Sequence, residues 1–275
     1  MRKRDKQTSG RSQYFSRDNT GPPARHGLAR VLSKLGICSR SRAEEWVRAG
    51  RVSVDARVVR DPEHRTVPKA NIAIDGIPLS ARERVYIALN KPRGVVVSAA
   101  DEQGRDTAYD LLKDSGLPWL APVGRLDKAS EGLLLLSNDP EWAARITDPS
   151  FHLPKTYHVQ VRGVPEASAL ARLRHGIMDR DELLMARTVE LLRAGDKNAW
   201  LEIVLDQGRN RQIRRMLAAL DYEVLRLIRV AIGPLALGDL AKGQWRRLSA
   251  AEIAALAPES KKLRPSTARV PDRPR

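Results

Sequence analysis

Apolar positions at helical spacing mark the first stretch of the chain that can bury a core. They are Leu28, Val31, Leu32 and Leu35, and Gly36 then supplies a stop, which predicts a short helix. A second predicted helix begins at the capping box of residues 41–44, Ser-Arg-Ala-Glu, and ends at Gly50. Apolar residues then alternate with polar ones over residues 51–59 and 71–76, which predicts strands. Residues 27–78 are therefore expected to form a small mixed domain.

A second pattern starts after a polar linker at residues 80–84. It predicts strands at Val85–Pro92, Val95–Val97, Leu133–Leu136, Tyr157–Val161, Thr188–Leu192, Trp200–Leu205 and Glu223–Leu227, and helices at residues 140–147, 166–174, 210–220 and 249–257. This order favours an α+β fold with a mixed, largely antiparallel central sheet flanked by helices. The larger domain is expected over residues 85–257.

The net charge of the chain indicates the kind of partner that it binds. The chain holds 49 Lys and Arg against 33 Asp and Glu, a formal charge of +16, and such a field attracts polyanions, nucleic acid first. Residues 1–26 and 258–275 are basic and poor in apolar anchors, so both are predicted to be disordered tails. A basic surface that serves only solubility is the alternative.

Cysteine content and hydropathy exclude several other classes. The single cysteine, Cys38, rules out an internal disulfide and a cysteine-cluster zinc site. No stretch approaches ~18 uninterrupted apolar residues, and the basic start of the chain is followed by no apolar segment, so neither a membrane span nor a signal peptide is expected. We expect a cytoplasmic protein.

The polar face of the small domain carries a cluster of cations. Its members are Lys34, Arg40, Arg42, Arg48 and Arg51. Cations gathered on helices and the turns between them suit a surface that binds phosphates without reading bases, although a merely solvated face has the same composition. Residues 30–36, 39–44 and 49–54 resemble the small RNA-binding domain shared by a ribosomal protein, several RNA-modifying enzymes and a tRNA synthetase.

Three segments of the larger domain carry candidate chemistry. Asp127 is the last residue of Gly-Arg-Leu-Asp, just before the apolar run at residues 132–136. A strand formed by that run can fix the position of the preceding loop while the Asp127 side chain stays exposed. Tyr157 lies at the start of a strand, where its hydroxyl can move a proton. Alternatively, its ring simply caps the core and its hydroxyl forms a hydrogen bond. Residues 208–216 hold four arginines within seven positions, a composition that binds phosphate or forms a solvated helix face. Taken alone, Asp127 would be an ordinary turn residue.

The three segments together resemble the pseudouridine synthases, in the branch that joins such a domain to a small RNA-binding domain. The supporting motifs are Asn90–Val95, Gly104–Thr107, Pro122–Asp127, Gly132–Asp139, Lys155–Tyr157, Gly208–Met216, Arg226–Arg229 and Ile232–Leu235. The resemblance runs from about residue 27 to residue 256. It implies an enzyme that isomerises one uridine of ribosomal RNA, with large-subunit RNA slightly favoured over small-subunit RNA.

The resemblance also implies roles for individual residues. Asp127 matches the catalytic aspartate, Arg214 the arginine that keeps it charged, and Tyr157 the tyrosine that stacks on the base. The residues expected to bind substrate are Arg125, Arg211, Lys155 and Leu227. No cofactor or metal is implied, and the expected partner is ribosomal RNA, bound by a monomer. A noncatalytic RNA-binding protein that keeps an enzyme's fold is the competing hypothesis.

Overall fold

The computed structural model describes residues 25–67, 69–79, 83–98 and 104–257. The tails predicted over residues 1–26 and 258–275 lie outside these ranges, except for Arg25 and His26. Within the described ranges, every helix is too short or too polar to cross a bilayer.

The small domain consists of a helical hairpin packed on short strands. Its elements are β1 (His26–Gly27), α1 (Leu28–Lys34), α2 (Arg40–Arg48), β2 (Val52–Val54), β3 (Arg57–Val59), β4 (Arg65–Thr66), β5 (Ile72–Ile74) and β6 (Ile77–Pro78). Strand β1 pairs with β4, and the other four strands form an antiparallel sheet in the order β3-β2-β5-β6. The apolar faces of both helices are buried against this sheet, as their spacing predicted.

The cap of α2 differs from the prediction. Ser39, not Ser41, is the N-cap, and its side chain accepts a hydrogen bond from the Arg42 amide at 3.2 Å. The predicted capping box at Ser41 is therefore wrong, because the helix already begins at Arg40 and places Ser41 inside the first turn. A complete capping box does occur at Ser249 and Glu252.

The larger domain is built on one nine-stranded sheet. Its strands are β7 (Tyr86–Lys91), β8 (Ala121–Val123), β9 (Glu131–Ser137), β10 (Lys155–Arg162), β13 (Thr188–Ala194), β14 (Asn198–Leu205), β15 (Val224–Ile232), β16 (Leu235–Ala236) and β17 (Trp245–Arg247), and a separate hairpin is formed by β11 (Ile177–Asp179) and β12 (Glu182–Leu184). The helices are α3 (Pro140–Thr147), α4 (Ala167–His175), α5 (Gln212–Ala218) and α6 (Ala250–Leu256), with 3-10 turns at Asp110–Leu112 and Pro149–Phe151.

The sheet order is β13-β14-β10-β15-β9-β7-β17, with β8 on β9 and β16 on β15. Only the pairing of β15 with β9 is parallel among the described strands, which agrees with the predicted, largely antiparallel sheet. Every residue of β9 is buried, because apolar clusters cover both faces of this central strand. The β9–β15 pairing brings the start of β9 beside the middle of β15.

The strand predicted at Val95–Val97 does not form. Val96 makes only an isolated bridge to Thr107. The carbonyl of Val95 accepts a hydrogen bond from the Lys91 ammonium at 2.8 Å instead of pairing with a neighbouring strand. The apolar β-branched run therefore forms a loop in which one carbonyl binds the buried Lys91 ammonium.

Gly132 allows β15 to approach β9 closely. Its φ is +100°, and a Cβ there would lie 2.3 Å from the Arg229 carbonyl oxygen. We expect Gly132→Ala to lower the free energy of unfolding by about 3 kcal/mol or more, since backbone overlap adds to the strain of a positive φ. Gly76→Ala is the matched control, because its φ is +78° and its Cβ would meet nothing within 4 Å. Urea unfolding midpoints measure both, and equal losses would contradict the expectation.

Candidate active site

Asp127 lies in the loop that joins β8 to β9. The Ser130 amide donates to the Asp127 carbonyl at 2.9 Å, and the Gly94 amide donates to the Lys128 carbonyl at 2.8 Å. Leu126 is buried in the core directly before the acid, while Asp127 itself is half-buried. The loop backbone is therefore held in place and the carboxylate remains accessible.

This loop forms part of a cavity of about 290 Å³. Six residues predicted from the sequence line it: Asp127, Tyr157, Arg125, Leu227, Arg211 and Lys155. They come from the β8–β9 loop, two strands of the sheet and the segment before α5. The carboxylate of Asp127, the phenol of Tyr157 and several cationic side chains therefore surround a space large enough for a nucleotide base.

Tyr157 and Leu227 belong to the apolar part of the cavity wall. They lie on neighbouring strands, β10 and β15, where Tyr157 pairs with Arg229 and Val159 with Leu227. Tyr157 is 9% exposed and belongs to the same apolar cluster as Leu126 and Leu227. A flat, partly apolar surface of this kind suits packing against an aromatic ring.

Arg214 approaches the loop from α5 without contacting the Asp127 carboxylate. Its Nη2 donates to the Ala129 carbonyl at 3.0 Å and its Nη1 to the Val224 carbonyl at 3.3 Å. Burial lowers the pKa of Arg214, repulsion by Arg211 lowers it further, and attraction by Asp127 opposes both. Among the described residues no carboxylate lies within 4.0 Å of Arg214, and the residue does not line the cavity.

The arginines of residues 208–216 have two kinds of environment: some form ion pairs within the domain, and one is exposed at the cavity. Arg215 pairs with Asp179 and Glu182, and Arg209 pairs with Glu182, which ties the segment to the β11–β12 hairpin. Arg211 has a φ of +49°, caps α5 and is exposed at the cavity. The predicted helix at 210–220 is therefore shorter, since it begins only after Arg211.

Arg229 is a site residue that the sequence analysis did not select. It lines the cavity, is 5% exposed, and donates from Nε to the Leu133 carbonyl at 2.7 Å and from Nη1 to the Arg125 carbonyl at 3.3 Å. With Arg214 on Ala129, two guanidinium groups hold the loop on either side of Asp127. The motif Arg226–Arg229 could have drawn attention to this residue. The strand register that directs its side chain into the cavity wall could not be read from the sequence.

Glu131, at the start of β9, is a second missed residue. It is 2% exposed and pairs with Arg226 at 3.0 Å and Lys242 at 2.7 Å. Burial alone would raise the pKa of Glu131, but hydrogen bonds from Arg226 and Lys242 outweigh it and lower the pKa. These two ion pairs hold an ionised carboxylate beside the Asp127 loop.

Lys91 is a third missed residue and is fully buried. Its ammonium donates to the carbonyls of Pro92 at 3.0 Å and Val95 at 2.8 Å. Burial lowers the pKa of Lys91 to about 8, against the attraction of Asp127 and Glu131. The lysine therefore fixes the turn after β7 and adds positive potential near the catalytic candidate.

The pKa of Lys91 predicts a pH dependence of stability. A folded-state pKa near 8 means that the unfolded chain binds more protons between about pH 8 and pH 10.5, so this group adds stability as the pH rises through that window. From pH 7 to pH 10 the unfolding free energy of the wild type should gain about 2 kcal/mol relative to Lys91→Met. Urea titrations of both proteins measure this, and parallel pH profiles would contradict it.

Four of the five predicted phosphate-binding cations of the small domain are ion-paired. Arg40 pairs with Glu44 and Glu63, Arg42 with Glu45, Arg48 with Glu44 and Arg51 with Asp75. These arginines are exposed, so each pair contributes little and can yield to a phosphate. Lys34 lies elsewhere, in a crevice of about 270 Å³ between the small domain and Trp119.

Comparisons with known proteins agree with this architecture. Residues 85–219 match the RNA pseudouridylate synthase family model, and residues 27–69 match the S4 domain model. The chain is 39% identical to an uncharacterized RNA pseudouridine synthase of Aquifex aeolicus over 83% of its own length and 92% of that protein. It is 34% identical to ribosomal large subunit pseudouridine synthase B of Bacillus subtilis over 82% and 93% of the two chains.

A solved structure shows the same fold. The crystal structure of a pseudouridylate synthase superposes with a TM-score of 0.60 at 30% identity, covering 85% of this chain and 99% of that one. The sequence resemblance is thereby confirmed for both domains. The chain belongs to the RNA pseudouridine synthases, as an S4 domain followed by the catalytic domain of that family.

Proposed function

We propose that this enzyme isomerises one uridine of ribosomal RNA to pseudouridine, that large-subunit RNA is its substrate, and that Asp127 is the catalyst. Relatives at 34% identity over most of the chain are named ribosomal large subunit pseudouridine synthases B and E, which supports the choice of RNA. The observation that supports the catalyst best is the placement of Asp127: its loop is anchored, and it is the sole carboxylate among the described residues that line the cavity.

The reaction is an isomerisation, in which the nucleotide gains and loses no atoms overall. The bond between N1 of uracil and C1′ of ribose breaks, a bond between C5 and C1′ forms, C5 loses its proton, and N1 gains one. An ionised Asp127 can act on the ribose carbon or the uracil ring in the first step.

Tyr157 and Leu227 are proposed to hold the base while it turns. The ring of Tyr157 stacks on uracil, Leu227 packs against it, and the Tyr157 hydroxyl assists loss of the C5 proton. Arg214 acts on Asp127 through positive potential and through its hydrogen bond to the Ala129 carbonyl, since no direct ion pair forms with Asp127. Arg125 and Arg211, both exposed at the cavity, are proposed to hold the RNA around the extruded uridine.

The RNA is proposed to extend from the cavity to the S4 domain. The crevice that contains Lys34 shares Val123, Gly124 and Thr147 with the catalytic cavity, so the two adjoin. Lys34 and the four exposed arginines of the S4 domain would bind the backbone and supply energy for base extrusion.

Release of tritium from C5 tests this function. Large- and small-subunit ribosomal RNA transcripts labelled with tritium at C5 of uridine are incubated with the purified protein. Because C5 must lose its hydrogen, we expect release to a stoichiometry of one per large-subunit molecule. Absence of release from both RNAs, as free transcripts and in partly assembled subunits, would instead favour a noncatalytic RNA-binding protein.

A further inference from the structure

Two cations in the wall of the catalytic cavity have no acidic partner. Arg229 is 5% exposed and Lys155 is half-buried, and both line the cavity. Within the described residues, no carboxylate oxygen lies within 4.0 Å of either side chain. Arg229 also keeps a buried Nη2 without a hydrogen-bond partner.

The two side chains lie on the same face of the sheet. Lys155 is two residues before Tyr157 on β10, so both project to one side, and Tyr157 pairs with Arg229 on β15. Burial lowers the pKa of Lys155, repulsion by Arg229 lowers it further, and only Asp206 opposes them. In the free protein these two positive charges therefore repel each other.

The other buried charges of this domain have partners of two kinds. Lys91 donates to two backbone carbonyls. Glu131 is 2% exposed and has two cationic partners, and Arg215 has two acidic partners. Burying a charge without a partner is costly, so a pair of uncompensated cations at a cavity wall is unfavourable unless a ligand supplies the negative charge. Lys155 and Arg229 thus give the cavity wall a surface suited to an anion.

We propose that Lys155 and Arg229 bind the phosphate group attached to the uridine that enters the cavity. This inference rests on the proposed function for the identity of the nucleotide. The phosphodiester is the anionic group of RNA, and guanidinium and ammonium groups bind its oxygens through charge-assisted hydrogen bonds. The phosphate would thereby fix the ribose and leave the base free to turn against Tyr157.

The preference of the full-length protein for uridine monophosphate over uridine tests the proposal. Chemical-shift titrations with uridine, uridine 3′-monophosphate and uridine 5′-monophosphate give the three affinities. We expect the wild type to bind one monophosphate about tenfold more tightly than uridine. Lys155→Met and Arg229→Gln should each reduce that ratio to about twofold, and Arg229→Lys should retain part of it.

The controls separate this role from folding and from catalysis. Lys197→Met removes an exposed lysine far from the cavity and should keep the wild-type ratio. Lys155 makes no side-chain hydrogen bond to a described residue, so its replacement tests the proposal even if Arg229→Gln unfolds. An unchanged ratio in Lys155→Met, or no preference in the wild type, would overturn the phosphate site. A retained preference without tritium release from RNA would overturn only the proposed function.

Discussion

Asp127→Asn is expected to abolish pseudouridine formation, by roughly 10⁴-fold or more, and to leave RNA affinity within about twofold. Asparagine has the shape of aspartate but provides neither a nucleophile nor a base. The loop should keep its conformation, because backbone hydrogen bonds and the buried Leu126 hold it, not the carboxylate. Carbodiimide labelling with primer extension measures the product, and filter binding measures the affinity.

Asp221→Asn is the matched control for this variant. Asp221 is exposed, outside the cavity, in a positive-φ turn that asparagine also adopts readily. Its activity should equal that of the wild type. Normal activity in Asp127→Asn would remove Asp127 from the mechanism, whereas equal losses in both variants would point to damage of the fold.

Replacing Lys34, Arg40, Arg42, Arg48 and Arg51 together by glutamine is expected to weaken RNA binding strongly. Each phosphate contact contributes about 0.7 to 0.9 to the slope of log affinity against log salt, so the slope should fall by about 4 if all five act. At physiological salt the affinity should fall by roughly 10²-fold or more. Fluorescence anisotropy at several salt concentrations gives both quantities.

The control replaces two exposed arginines of the catalytic domain, Arg162 and Arg187, by glutamine. Both form surface ion pairs like those of the S4 domain, with Glu223 and Asp206. The salt slope of this control should stay at the wild-type value. A five-residue variant with an unchanged slope would mean that the cationic cluster is only solvated and that the tight RNA contacts lie elsewhere.

Elements with strong periodicity were predictable from the sequence. The alternation in β14 and the run of leucines in β9 each specify one burial pattern, and both strands form where expected. Val95–Val97 has the same local character but forms a loop, in which the Val95 carbonyl accepts a hydrogen bond from Lys91. Local pattern could not reveal that bond.

The candidate site was predictable in part. Asp127 and Tyr157 belong to separate motifs, and the fold brings them to one cavity as the resemblance implied. Arg229, Lys91 and Glu131 were missed because burial and strand register set their importance, and both depend on contacts between distant segments. Arg214 was placed near the acid, but its hydrogen bond to the Ala129 carbonyl could not be foreseen from composition.

Mapping of pseudouridines in ribosomal RNA from cells that lack this protein tests the central claim most directly. The cells are complemented with the wild type, with Asp127→Asn, or with no copy, and every site is read by carbodiimide labelling. One uridine of large-subunit RNA should be modified only in cells with the wild type. Identical pseudouridine maps in all three strains would contradict it.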